Sequence, residues 1–187
     1  MNPDQLKELV LELPDKFHHK QTTSHAFKNF IIDKFDGSTG EVLEVGCHMG
    51  HTTLILSELF SHVYCINHNP IDDNWLCKDR DNVTYEHMDA YKTEWKWDKW
   101  KNVEVVLIDC VHDYDHAKMD TAHALKLPKV HTIIYDDYGD KRYWGVKKAA
   151  NEMAARLGGE LTRFGLDRST EWLSLEDSEA ALVEFKR

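Results

Sequence analysis

The sequence predicts one α/β domain, a Rossmann-like doubly wound sheet of mostly parallel strands. Two observations support this prediction: four short, mostly apolar runs recur along the chain, and helix-like segments separate them. Short apolar runs are typical of strands buried on both faces, as in a parallel sheet. Their alternation with helices is typical of doubly wound α/β domains. The 187 residues are the length of one ordinary domain.

The strand-like runs are bounded by polar residues or glycine. They cover residues 42–45, 63–66, 103–108 and 132–135, and the residues that follow them are Gly46, Asn67, Asp109 and Asp136. Hydrophobic spacing predicts helices between and after them, at about residues 51–60, 71–80, 115–126 and 144–157. We therefore expect residues 38–157 to form the core of the domain.

Two further segments flank this core. Residues 1–36 have apolar side chains at helical spacing, and Pro14 is expected to divide them into two helices that cover the sheet. Residues 158–187 contain two strand-like pieces and predict a terminal antiparallel β-hairpin. With no repeat and no linker composition, residues 1–187 are expected to form a single domain.

Composition narrows the classes of partner and location. The formal net charge of −10 repels a phosphate backbone, so no nucleic-acid partner is expected. No apolar run approaches the roughly 20 residues that span a bilayer, and no signal peptide is recognised, so we expect a cytoplasmic protein without a membrane partner. The apolar positions of the N-terminal helices are expected to offer a face for a homodimer. The tryptophans 95, 97 and 100 either line a ligand site or pack a long connection onto the core, and packing is favoured.

A glycine loop follows the first predicted strand. It reads Glu-Val-Gly-Cys-His-Met-Gly over residues 44–50, with glycines at Gly46 and Gly50. Glycine is needed where the backbone turns at positive φ or approaches a ligand closely, and the start of a helix favours polar or anionic ligand atoms. The spacing does not satisfy the dinucleotide fingerprint GxGxxG, so an NAD or nucleotide-sugar domain is the weakest alternative.

The E-V-G-x-x-x-G pattern resembles the first motif of class I S-adenosylmethionine (SAM)-dependent methyltransferases, and the resemblance extends over about residues 38–157. Residues 63–70 and 82–90 resemble the second- and third-strand segments of that family. Asn67 stands where an acidic residue normally holds the ribose hydroxyls, so a weaker grip on SAM is expected. The resemblance implies SAM-binding roles for Glu44, Gly46, Cys47, His48, Gly50, Asn67, His68, Asp89, Ala90 and Asp109.

Carboxylates follow the last two core strands. If these strands are parallel neighbours, Asp109 and the pair Asp136–Asp137 meet at the edge that carries the glycine loop. Three crowded carboxylates repel one another unless protons or a cation compensate, and Mg²⁺ is a natural cation for oxygen ligands. An ordinary turn and helix cap remains the alternative for Asp136–Asp137.

Residues 107–116 and 134–138 resemble the I-D-G-D-H-x-Y and D-D-Y segments of the macrocin and sugar O-methyltransferase branch. The resemblance implies a Mg²⁺ site at Asp109, Asp136 and Asp137. Val111 replaces the second aspartate of the first segment, which leaves His112 as the candidate general base and, with Asp109, as a candidate catalytic residue. The expected function is methyl transfer from SAM to an oxygen of a small-molecule acceptor, assisted by Mg²⁺. The alternatives are a structural role for His112 and a SAM- or nucleotide-binding domain without turnover.

Overall fold

The computed structural model describes residues 1–19, 21–71, 73–169 and 173–187. Its strands are β1 Glu41–Val45, β2 His62–Asn67, β3 Val83–His87, β4 Val103–Ile108, β5 Thr132–Tyr135, β6 Glu160–Phe164 and β7 Ala180–Glu184. Its helices are α1 Pro3–Glu12, α2 His25–Phe35, α3 His51–Leu59, α4 Tyr114–Ala124 and α5 Trp144–Leu157. Within the described ranges, no helix has both the length and the apolarity to cross a bilayer.

The strands form one sheet in the order β3-β2-β1-β4-β5-β7-β6. The first five are mutually parallel, and β7 runs antiparallel between β5 and β6. The fold class is confirmed, including the antiparallel C-terminal strands. Chain order reverses between β1 and β4, and a crevice for ligands opens beyond the carboxyl ends of strands at such a point.

Helices cover both faces of the sheet. On one face α1, α2 and α3 pack together over a core that includes Val42, Val63 and Leu107. On the other face α4 and α5 pack against each other over a core that includes Leu43, Val45 and Ile133. Successive strand residues point to opposite faces, so the continuously apolar strands fill both cores.

Each N-terminal helix begins at a side-chain cap. Asn2 accepts a hydrogen bond from the backbone of Gln5, and Ser24 accepts one from the backbone of Phe27. The two helices end and begin on either side of Pro14, as the sequence predicts. Residues 13–19 between them form bends and turns that reach the carboxyl edge of the sheet.

The structure corrects one predicted helix. Residues 73–80 contain turns where a helix was predicted over 71–80, and Asp72 lies outside the described residues. Trp75 and Cys77 are buried as single anchors, whereas Leu76 between them is exposed: Trp75 packs edge-on against Tyr85 at 5.3 Å, and Cys77 lies beside Gly50. Trp95 and Trp100 are buried in the α4–α5 core, which agrees with the packing interpretation of that cluster.

Candidate functional site

The loop after β1 is held between β2 and β4 by its backbone. The amide of Gly46 donates to the carbonyl of Ile66 at 2.8 Å, and the amide of Asp109 donates to the carbonyl of Val45 at 2.9 Å. Gly46 has φ +94°, and a Cβ on it would lie 1.9 Å from the carbonyl oxygen of Asp109. Only glycine fits this position, because both the backbone angle and the contact exclude a side chain.

The far end of the loop starts helix α3. Gly50 has φ +84°, and a Cβ there would lie 2.9 Å from Nε1 of Trp75. Its amide donates to the carbonyl of Cys47 at 2.7 Å, and the Cys47 side chain is buried against the α1–α3 face. Cys47 and Gly50 therefore fix the conformation of the loop from its buried side.

Glu44 also lies beneath the loop. Its side chain is 1% exposed, and its Oε2 accepts a hydrogen bond from the hydroxyl of Thr53 on α3 at 2.5 Å. Burial raises the pKa of this carboxyl to about 8. The predicted contact of Glu44 with the cofactor stays a prediction, and the observed partners of the carboxyl are the hydroxyl of Thr53 and, at 3.8 Å, the thiol of Cys65.

Two adjoining cavities open at the carboxyl ends of β1, β2 and β4, and they share Asn67 and Cys110. The polar cavity has a volume of about 280 Å³ and is lined by Gln21, Thr22, Gly46, His48, Asn67, Asp109, Cys110, His112, Asp136 and Asp137. The apolar cavity has a volume of about 250 Å³ and is lined by Val45, Ile66, Asn67, His68, Met88, Asp89, Ala90, Tyr91, Cys110 and Val111. Most of the residues that the sequence nominated therefore line one of two neighbouring spaces.

The backbone brings the strand-end carboxylates together. The amide of Asp136 donates to the carbonyl of Ile108 at 3.1 Å, one residue before Asp109. His112 lies between two of these carboxylates, with Nε2 3.2 Å from Oδ1 of Asp109 and Nδ1 3.4 Å from Oδ2 of Asp137. Burial lowers the pKa of His112, but the hydrogen bond that its imidazole donates to Asp109 and the charge of Asp137 outweigh it and leave that pKa above its ordinary value.

A lysine that sequence reasoning missed completes this cluster. The ammonium of Lys16 lies 2.7 Å from Oδ2 of Asp136, 3.0 Å from Oδ1 of Asp137 and 3.4 Å from Oε1 of Glu179. The side chain of Lys16 is only 2% exposed. Burial works against its charge, but the surrounding carboxylates outweigh that effect and raise the pKa of Lys16. Lys16 and Asp136 are 120 residues apart, so no local pattern connects them.

The two paired aspartates differ in their electrostatics. Burial raises the pKa of Asp136, and the neighbouring carboxylates Asp109 and Asp137 add to that rise against the effect of Lys16. Burial acts in the same direction on Asp137, but Lys16 and His112 outweigh it and lower its pKa. Asp137 is therefore the carboxylate that carries the charge between the lysine and the imidazole.

Three side chains are spaced to hold a metal ion. One ligand atom each from Asp109, His112 and Asp136 lies within 4.8 Å of the others. In the described part of the chain, Oδ1 of Asp136 is buried without a hydrogen-bond partner. Among the same described residues, Oδ1 of Asp137 also has no hydrogen-bond partner, although it forms an ion pair with Lys16 at 3.0 Å, and Oδ2 of Asp137 lies 3.4 Å from Nδ1 of His112. The metal roles of Asp109, Asp136 and Asp137 remain predictions, and the geometry adds His112 to the atoms within reach.

No family model matches the chain, and no curated protein matches it. Solved structures do match over nearly its full length. The N-methyltransferase NodS from Bradyrhizobium japonicum WM9, in complex with S-adenosylhomocysteine, superposes with TM-score 0.63 and 15% identity over 99% of this chain and 98% of that one. This chain has the fold of the class I SAM-dependent methyltransferases.

Two further matches have different chemistry on this fold. The magnesium protoporphyrin IX methyltransferase from Synechocystis PCC 6803, with bound SAM, gives TM-score 0.59 and 12% identity over 98% of this chain and 79% of that one. The TDP-rhamnose 3'-O-methyltransferase of calicheamicin biosynthesis gives TM-score 0.59 and 10% identity over 100% and 93%. At identities this low, the matches do not show which branch of these methyltransferases the chain resembles, because one fold supports N- and O-methylation alike.

Proposed function

We propose that the chain binds SAM across the two cavities and transfers its methyl group to an oxygen of a small-molecule acceptor. The observation that carries this proposal is the pair of adjoining cavities at the switch point of the sheet, one apolar and one lined by carboxylates and imidazoles. A cofactor with a flat base at one end and a charged amino acid at the other matches that division. When bound, SAM supplies an electrophilic methyl group on a sulfonium sulfur.

The residues present fit such a cofactor. Ile66, Met88 and Val111 offer apolar surface for a base in the apolar cavity. Asn67 lies on the wall that the cavities share, where its amide is placed to hydrogen-bond a ribose hydroxyl. Gly46 lines the polar cavity without a side chain, so the amino-acid end of the cofactor can approach its backbone closely.

The acceptor proton goes to the pair formed by Asp109 and His112. Both side chains line the polar cavity and are about one-fifth exposed, at 22% and 20%. Because Nε2 of His112 and Oδ1 of Asp109 are 3.2 Å apart, a proton taken by either is shared between them. Asp137 at Nδ1 stabilises the imidazolium that forms. The polar cavity thus combines a binding surface with a proton acceptor.

Two measurements on the wild-type chain test the proposal. Isothermal titration calorimetry with SAM should give one site per chain. Incubation with methyl-labelled SAM and a panel of hydroxylated small molecules, including sugars, catechols and phenols, should give labelled ether products. Binding without any labelled product would support the alternative, a SAM-binding domain without turnover. Absence of binding by the folded protein would contradict both.

A second candidate mechanism includes Mg²⁺. The unpartnered Oδ1 of Asp136 favours it, since a buried carboxylate oxygen with no hydrogen bond is a natural ligand. Asp109, His112 and Asp136 would hold the ion, which would lower the pKa of an acceptor hydroxyl. His112 would then be a ligand and would not be free to act as the base. The two mechanisms differ in one result: chelator abolishes turnover only in the second, and added Mg²⁺ restores it.

A further inference from the structure

Lys16 comes from the segment between α1 and α2, far along the chain from the strand ends that carry Asp109 and Asp136. Its ammonium contacts carboxylates from two other places in the fold: Asp136 and Asp137 after β5, and Glu179 just before β7. Burying an ammonium costs several kcal/mol unless nearby charges and hydrogen bonds offset it. The three carboxylates offset that cost, so the contact is specific.

Asp137 connects Lys16 to the reacting groups. One of its oxygens, Oδ1, lies 3.0 Å from the lysine, and the other, Oδ2, lies 3.4 Å from Nδ1 of His112. A carboxylate held at one oxygen presents the other in a fixed direction, and a carboxylate at Nδ1 fixes both the tautomer and the orientation of an imidazole. The order of contacts is therefore Lys16, Asp137, His112 and Asp109.

We infer that Lys16 is a positioning residue for the methyl transfer: it holds Asp137, and Asp137 orients His112 towards the acceptor. This inference rests on the proposed function, and it applies whether His112 accepts the proton or binds Mg²⁺. It makes the N-terminal segment a part of the site, whereas its helices alone would only cover the sheet.

Contacts in addition to those of Lys16 hold the wall of the polar cavity. Gln21 and Thr22 line the polar cavity. Glu179 accepts hydrogen bonds from the backbone and hydroxyl of Ser24, and the ammonium of Lys28 donates to the hydroxyl of Thr22 at 3.3 Å. Lys16 contacts this set only at Oε1 of Glu179, at 3.4 Å, and the Lys28–Thr22 hydrogen bond is independent of it. Loss of Lys16 should therefore disturb Asp137 and His112 far more than it disturbs Asn67 and the apolar cavity.

The kinetic test uses Lys16→Met, which removes the charge and keeps much of the side-chain volume. With the acceptor that turns over fastest in the hydroxyl panel, we expect kcat to fall by about 100-fold, the order expected for a misplaced catalytic group, while KM for SAM changes less than about threefold. Lys34→Met is the matched control, since it removes another ammonium of the N-terminal segment, one in an exposed ion pair with Glu184. Unchanged kcat in folded Lys16→Met would overturn the inference.

A double-mutant cycle with Asp137 is a sharper test of the inference, because it shows whether the losses of kcat from the two substitutions are additive. Asp137→Asn should lower kcat in the same way, and the double variant should lose no more than Asp137→Asn alone, because Lys16 acts through that carboxylate. Asn tolerates the positive φ of residue 137, so the backbone is not strained by the change. Losses that multiply would overturn the proposed route. If Lys16→Met does not fold, Asp137→Asn carries the test, and unchanged kcat in that variant would overturn the route.

A measurement without cofactor separates this inference from the proposed function. Urea unfolding of wild type, Lys16→Met, Asp137→Asn and the double variant should give a midpoint loss for the double variant that is smaller than the sum of the single losses. A chain that transfers no methyl group would contradict the proposed function and leave this result intact. Additive midpoint losses would contradict the Lys16–Asp137 contact itself.

Discussion

The apolar and polar cavities share a wall but differ in how they are built. Side chains on and directly after β1, β2 and β3, such as Ile66, Met88 and Ala90, line the apolar cavity. The polar cavity combines residues at the ends of β1 and β2 with groups that follow β4 and β5 and with the N-terminal segment. Its charges depend on Lys16 and Glu179, which lie behind it. Local chain order thus determines the first, whereas distant side chains determine the second. The first is suited to binding and the second to chemistry.

The backbone junction between the cavities should be the most sensitive point. Gly46→Ala places a methyl group 1.9 Å from the Asp109 carbonyl and strains a backbone with φ +94°. We expect a loss of about 3 kcal/mol or more in unfolding free energy, with loss of SAM binding, because overpacking and positive φ each cost about 1–3 kcal/mol. Urea unfolding and calorimetry measure both.

Gly37→Ala is the control for this change. Gly37 has φ +73°, and a Cβ there meets nothing within 4 Å, so it has the backbone penalty without the clash. Equal destabilisation by the two variants would contradict the role given to the contact with Asp109.

The chemistry assigned to the polar cavity depends on His112. His112→Gln should lower turnover by about 100- to 1,000-fold and leave SAM affinity within about threefold, since general-base catalysis contributes on that order. His116→Gln is a suitable control, because His116 pairs with Asp113 and lines neither cavity. Equal turnover of wild type and His112→Gln would show that a group other than His112 accepts the proton.

The buried carboxyl of Glu44, beneath the glycine loop, predicts that the stability of the fold depends on pH. Glu44 has a pKa of about 8 when folded and about 4.3 when unfolded, so between these values only the folded state keeps the proton. The unfolding free energy contributed by this residue therefore falls as pH rises through that window, by at most about 1.4 kcal/mol per pH unit. Glu44→Gln should remove the slope, matching wild type near pH 4 and exceeding it by roughly 4 kcal/mol at pH 7. A wild-type slope unchanged in the variant would contradict the buried, neutral carboxyl.

A substitution of Asn67, on the wall that the two cavities share, should have the smallest effect of this series. Asn67→Asp introduces a charged acceptor for a ribose hydroxyl, and SAM should bind about fivefold more tightly, or about 1 kcal/mol, because charge-assisted hydrogen bonds are stronger. Asn69→Asp adds the same charge two residues further along and should leave the affinity unchanged. Weaker binding by Asn67→Asp would place the ribose elsewhere.

Sequence alone predicts the parts of the molecule that follow from chain order. Hydrophobic runs located four of the parallel strands and the antiparallel C-terminal pair, since burial on both faces imposes a clear pattern. The two glycines of the loop could be predicted because a backbone with positive φ favours glycine, and glycine is visible in the sequence. The 71–80 segment was misjudged because Trp75 and Cys77 are buried singly, without helical repetition.

The cation that offsets the charge of the strand-end carboxylates could not be predicted in the same way. Sequence reasoning predicted that Asp109, Asp136 and Asp137 would need either a cation or shared protons, and it nominated Mg²⁺. The structure adds Lys16, which reaches two of them through packing of the N-terminal helices on the sheet. Only tertiary structure brings residue 16 to residues 136 and 179, so neither spacing nor composition signals the contact.

The central claim is that one cofactor occupies both cavities with its reacting centre beside Asp109 and His112. A crystal structure of the chain with S-adenosylhomocysteine tests it most directly. We predict the adenine against Ile66 and Met88, the ribose at Asn67, and the sulfur on the Asp109 side of Gly46. Binding with the adenine in the polar cavity, or density for the ligand away from both cavities, would contradict the account.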